Sequence, residues 1–212
     1  MSTPTDTTAA PTIPTAVAKA QAVVDEWEAK ASAARAEAAE IERGSGAAIL
    51  ADPSAAEKIS IKVDAKQRTA RAYDSAAAES LEQVRAAWRK AVEAEAKQLE
   101  KDATTMRRDA DKHRGEVEKL LARLKDLDGV EYEPKFGHPS YVQSGVYHAA
   151  DDAPRESKSD DLEGRAAGAE TQAKYVRHIL ATGSTTGFPD APSLGYIETP
   201  PITQAALDAG VL

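Results

Sequence analysis

Apolar residues recur along the first part of the chain with a single rhythm. Val17, Ala20, Val24, Trp27, Ala31, Ala34, Ala38 and Ile41 are separated by alternating steps of three and four. Such steps lay one stripe along a helix and keep it turned toward a second helix over its whole length. They predict a first helix over residues 15–43. Gly44 and Gly46 follow, and glycine readily takes the left-handed backbone that closes a helix, so the helix is expected to end there. The "ADPS" run at 51–54 then reads as a restart. The Asp52 carboxylate can accept from the free amides of a new helix, and Pro53 suits a first helical position because the N–H it lacks would have no partner there. Residues 44–52 are therefore the expected bend of a helical hairpin. No lysine follows the "GSG" and no strand precedes it, so a phosphate-cradling loop does not fit.

Between Ser54 and Glu133 there is no proline, and Gly115 is the only glycine before Gly129. A second helix is predicted over 53–128, on the order of 110 Å long at the usual rise per residue. Its apolar stripe reads Ala77, Leu81, Val84, Trp88 and then, after a step of eleven, Leu99, Ala103, Met106, Ala110, His113, Val117, Leu120, Leu124 and Leu127. The long step is a stutter, which locally unwinds a left-handed supercoil. "ISIKV" at 59–63 alternates as a strand would, but the start signal before it and "DAKQRTARA" after it favour helix. Opposite charges four residues apart (Arg89–Glu93, Glu93–Lys97, Arg107–Asp111, Lys112–Glu116, Arg114–Glu118) add a few tenths of a kcal/mol each.

A third stripe, Leu162, Ala166, Ala169, Ala173, Val176 and Leu180, predicts a shorter helix over 159–182, with Gly164 and Gly168 weakening its first turns. Residues 129–158 are aromatic and broken by proline, which predicts an irregular connector; "SYVQSGVYHA" could form a small hairpin about Ser144–Gly145. The Thr/Pro/Ala-rich residues 1–14 read as a disordered arm. Residues 183–212 read as an extended tail closing on a short helical turn capped at Thr203. The expected fold is all-α: a long antiparallel helical hairpin or coiled coil, a third shorter helix, an irregular connector and disordered termini.

The lengths do not match. The first helix spans about 44 Å and, folded back, reaches only to about Leu81 or Val84 on the second. The leucine-rich half from Leu99 onward needs another cover. The third helix is long enough for about 33 Å of it, but its stripe is mostly alanine. Trp27 and Trp88 are expected to anchor helix seams. Leu99, Met106, Val117, Leu120, Leu124 and Leu127 are expected to mediate self-association, with a dimer favoured. Residues 183–212 are a candidate contact for a separate protein partner.

Composition narrows the chemistry. Hydrophobic residues make up 42% of the chain but aromatics only 5%, and alanine supplies much of the rest. Alanine buries little area, so thin helix–helix seams suit this chain better than a thick core. There is no cysteine, which removes disulfides and thiolate chemistry. The formal net charge is -8, balanced over the middle and concentrated after Gly129, so nucleic acid is not an expected partner. The N-terminus lacks a basic and an apolar region, and no apolar run approaches the roughly 18–20 residues of a membrane span. The expected location is cytoplasmic or virion-associated, without a membrane.

Candidate sites are few. His113 lies on the second stripe with Asp109 four residues before it, and reads as a polar stripe residue. His138 and His148, near Asp151 and Asp152, lack metal-ligand spacing. Tyr132, Phe136, Tyr141 and Tyr147 suit a small satellite core, and Lys58, Lys62 and Lys66 with Arg68 and Arg71 suit a solvated face. None of the G-x-S-x-G, H-E-x-x-H, G-x-G-x-x-G or D-x-D-x-D-G patterns occurs. No cofactor, metal or catalytic residue is expected. The W-x-G bend motif of small secreted hairpin substrates is not met by Trp27, which stands in "WEA", and their Y-x-x-x-[DE] motif is not met by the helical Tyr73 or Tyr175, which are followed four residues on by Ala77 and Ile179. The sequence thus leads to a non-catalytic coiled-coil structural or assembly protein, for which a phage scaffolding or virion-associated component is one example. The alternative is a regulatory adaptor or co-chaperone-like protein that binds through its C-terminal segment.

Overall fold

A computed structural model describes residues 13–129, 157–189 and 197–212. The N-terminal arm up to residue 12, the connector over 130–156, with the turn expected at Ser144–Gly145, four aromatics and two histidines, and residues 190–196 of the expected tail lie outside the described residues. The described residues form four helices and no strand: α1 Thr15–Ala51, α2 Ala55–Asp128, α3 Lys158–Thr182 and α4 Pro201–Asp208. The protein is all-α. Among the described residues no helix is long and apolar enough to cross a membrane. The chain divides into two compact units, one of Met1–Val92 with Pro201–Leu212 and one of Glu93–Pro200, and α2 contributes to both.

The bend is shorter than the glycines suggested. α1 runs through Gly44 and Gly46 to Ala51, and neither glycine takes a positive φ. A helical glycine costs about 1 kcal/mol relative to alanine, too little to stop a helix flanked by good helix formers. Asp52 stops it. A residue before proline is pushed out of the α region, and Asp52 sits at φ -146, ψ 102. Its carboxylate accepts from the backbone N–H and the hydroxyl of Ser54, both at 3.0 Å, and its carbonyl accepts from the Ala55 N–H at 2.9 Å. A three-residue turn, 52–54, thus satisfies its own polar groups. Because a Cβ at Gly46 would meet nothing within 4 Å, Gly46→Ala should stabilise the protein by about 0.5–1 kcal/mol, read as a raised denaturation midpoint. A lowered midpoint would mean that the chain bends at this glycine.

In the first unit Val17, Val24, Ala31 and Ala38 of α1 and Val63, Ala70, Ala77 and Val84 of α2 are buried, each series stepping by seven. Cross-helix contacts set opposed directions: Glu37 pairs with Lys66, whereas the earlier Trp27 ring lies 5.7 Å from the later Tyr73 ring. The Glu37 carboxylate, by its hydrogen bond and then its charge, holds the Lys66 ammonium pKa above the ordinary value. Arg35 adds a pair to Asp74. Trp88 is buried, while Trp27 is half-buried, with the Lys30 ammonium 4.2 Å from its ring centre.

Leu81 does not belong to the seam. It is 40% exposed, and Ser80 takes the inward place with its hydroxyl donating to the Ala76 carbonyl at 2.8 Å. The buried positions there are Ser80, Val84, Trp88 and Val92, four apart. Steps of four overshoot a full turn, so the buried stripe drifts around α2 rather than following the strict alternation that includes Leu81. The end of the chain is also packed rather than extended. Thr203 lies inside α4 instead of capping it, and Thr203 and Ala206 are both fully buried.

In the second unit α3 begins at Ser157, whose hydroxyl accepts from the Asp160 N–H at 3.0 Å. It ends at Gly183, at φ 68, whose N–H donates to the Ile179 carbonyl at 2.7 Å. A left-handed residue there suits glycine, which pays no Cβ penalty. The residues after it fold back on α3, contrary to the extended coil expected from the sequence. Phe188 packs edge-on to Tyr175 at 5.4 Å and near His178 at 5.7 Å, and a His178 ring nitrogen lies 2.9 Å from the Thr186 carbonyl.

Candidate helix-interaction site

The second unit brings α3 alongside the later part of α2, and three ion pairs fix the register. Glu100 pairs with Arg177 at 2.8 Å, Arg107 with Glu170 and Arg114 with Glu163. Each step of seven forward on α2 is a step of seven backward on α3, so the helices run antiparallel in one heptad register. Between the charges lie Ala96, Ala103 and Ala110 on α2 and Ala166, Ala169 and Ala173 on α3, all buried. Alanine seams let helix axes approach closely but bury little area. The ion pairs are half exposed and screened by solvent, so they select the register more than they hold the helix.

The sequence had paired these cations within α2. Glu93–Lys97 does form, at 2.8 Å, and the hydrogen bond from Lys97 holds the Glu93 carboxyl pKa below its usual value. Arg107 instead reaches Glu170, and Arg114 joins Glu163 as well as Asp111 at 3.1 Å, with Glu163 raising the Arg114 pKa. The ladder was missed because Arg107 and Arg114 each also have an acid within four residues on their own helix. The available signal was opposite charge at seven-residue intervals on two separate segments.

Of the residues expected to meet at an interface, Leu99, Met106 and Val117 are half-buried, and Met106 packs on the Ala103–Ala166–Ala169 cluster. Leu120, Leu124 and Leu127 are 61%, 42% and 75% exposed. Counting on from Arg114–Glu163, the start of α3 at Lys158 stands level with Lys119, so these leucines lie past its described beginning. Trp27 and Trp88 belong to the other unit and take no part.

Where α3 does lie along α2 it fills the seam incompletely. Gly164, Ala167 and Gly168 line the same hollow as Leu99 and Met106, and a groove of about 720 Å³ remains, bounded also by Ile197. A Cβ at either glycine would meet nothing within 4 Å. Asp102 stands on its rim, accepting from Gln98 at 2.7 Å. A smaller hollow of about 250 Å³ lies beside His113, Val117, Ser157 and Asp160, and the enclosed His113 Nδ1 has no hydrogen-bond partner among the described residues. The described residues hold no group of three or more His, Asp or Glu placed to bind a metal ion.

No family model, no curated protein and no solved structure matches the chain.

Proposed function

We propose that this is a non-catalytic structural or assembly protein that works through helix–helix surfaces, with phage scaffolding or virion-associated components as one example of the class. Its two helical runs around the Asp52–Pro53 turn act as a coiled-coil hairpin, and its self-association runs through residues 99–127, most simply as a dimer. The observation that supports this reading is the exposure of Leu120, Leu124 and Leu127 at the end of a helix that buries Ala96, Ala103 and Ala110 earlier along its length. Three large apolar side chains on one stripe, each worth roughly 1.5–3 kcal/mol on full burial, far exceed what the neighbouring exposed ion pairs can offer, so contact with another copy is favourable. The adaptor reading, which needs a free C-terminal segment, has less support because Thr203 and Ala206 are already buried in the chain's own first unit.

Light scattering on the full chain tests the proposal. Dimers or higher oligomers are expected in the micromolar range, and Leu120→Asp combined with Leu124→Asp should convert them to monomers and reduce helicity at the end of α2. A stable monomer at high micromolar concentration would remove the basis for assembly.

A further inference from the structure

Among the described residues, the second unit carries an apolar ridge with no groove and a largely apolar groove with no ridge. The ridge is Leu120, Leu124 and Leu127, all substantially exposed. The groove is the hollow between Leu99 and Met106 on α2 and Gly164, Ala167 and Gly168 on α3. Their lengths agree: the ridge extends seven residues from Leu120 to Leu127, and the groove seven from Leu99 to Met106. Leu99, Met106, His113, Val117, Leu120, Leu124 and Leu127 follow one another in steps of three, four or seven, so ridge and groove open on the same side of α2.

We infer that the α2–α3 groove of each copy receives the Leu120–Leu127 ridge of a second copy, in a two-fold contact with His113 at the axis. The inference rests on the self-association proposed above and names its receiving surface. An antiparallel pairing of two α2 segments about His113 sets Leu127 of one copy level with Leu99 of the other, and Leu120 level with Met106. The groove can admit these side chains because Gly164, Ala167, Gly168 and Ala169 make up most of its α3 lining, beside Arg165, Thr171 and Gln172, and small residues let a further helix approach closely. Charge agrees at the rim: Arg123, one residue from Leu124, comes beside Asp102 of the other copy. The same register brings Asp109 near Glu116, a like-charge contact whose cost is small at an exposed rim. A two-fold contact is self-complementary, so each copy fills its partner's groove and the assembly closes as a dimer.

The closing experiment separates this contact from self-association in general. Gly168→Leu puts a large side chain into the groove, meets nothing within 4 Å at its Cβ and removes a helix-weakening glycine. It should leave circular dichroism unchanged while weakening the dimer at least tenfold in light scattering. Because the chain has no cysteine, Met106→Cys and Leu120→Cys variants each carry a single thiol, and the two positions are level across the contact. Mixed, they should form a covalent heterodimer under mild oxidation, whereas Met106→Cys mixed with an Arg108→Cys variant, on the far side of α2, should not. A dimer of undiminished affinity in Gly168→Leu overturns the groove contact, whatever the thiols do, while leaving self-association standing. A monomeric unmodified chain at high micromolar concentration overturns both.

Discussion

Trp88→Ala is expected to lower the unfolding free energy by about 3–5 kcal/mol, the range for removing a large aromatic from a packed interior. The indole is 5% exposed and stands in the run Ser80, Val84, Trp88, Val92, where every neighbour along the stripe is small or medium-sized. Alanine would leave a void that short side chains cannot fill. Trp27→Ala should cost less, because Trp27 is half-buried and its ring lies against Tyr73 rather than within the seam. Denaturant titration followed by circular dichroism measures both losses. Equal losses, or an unchanged midpoint in Trp88→Ala, would place the packed layer elsewhere.

Ala103→Asp should be as damaging to the second unit. Ala103 is fully buried, and the buried residues clustered with it, Ala166 and Ala169, are apolar. A carboxylate forced there is uncompensated, and the cost of burying an unpaired charge is several kcal/mol. The cheapest response is for α3 to leave α2, since the three ion pairs that set their register are exposed and weak. Limited proteolysis should then cut within residues 158–182 far faster than in the unaltered chain, and helicity should fall. Unchanged protection of that segment would show that α3 is held by something other than the alanine seam.

The helices were legible in the sequence because their signals are redundant. A stripe such as Val17, Val24, Ala31 and Ala38 repeats its message every seven residues, and all four positions are buried. The third stripe found α3 to within one residue at its start and matched its end, because Ser157 and Gly183 supply both a cap and a stop. What failed were single-residue inferences. Gly44 and Gly46 suggested an end, but their penalty is small beside the propensity of the surrounding run, and the proline after Asp52 decided the matter. Leu81 looked like a seam residue because leucine is apolar, yet the stripe had already drifted to Ser80.

The candidate site was half legible. The length mismatch between the first two helices pointed to an uncovered stripe on the second, and Leu120, Leu124 and Leu127 are indeed exposed. The groove was not foreseen, since it depends on which side of α3 faces Leu99 and Met106. That choice is made by the charge ladder from Glu100–Arg177 to Arg114–Glu163, a pairing between residues up to 77 apart in sequence. Spacing within either helix alone does not reveal it; only the seven-residue charge intervals of the two segments taken together do.

The turn at Asp52, Pro53 and Ser54 leaves room for change at the level of the gene. Its polar groups are answered by its own residues, it is exposed, and Leu50 beside it is 89% open to solvent. Exposed tips of this kind accept inserted segments without disturbing what they connect. Because the buried positions on either side recur every seven residues, equal additions of seven to α1 and α2 at this point would preserve their phase. The arm could therefore be lengthened or shortened in whole heptads, or carry a foreign peptide at its tip, without a new core being invented.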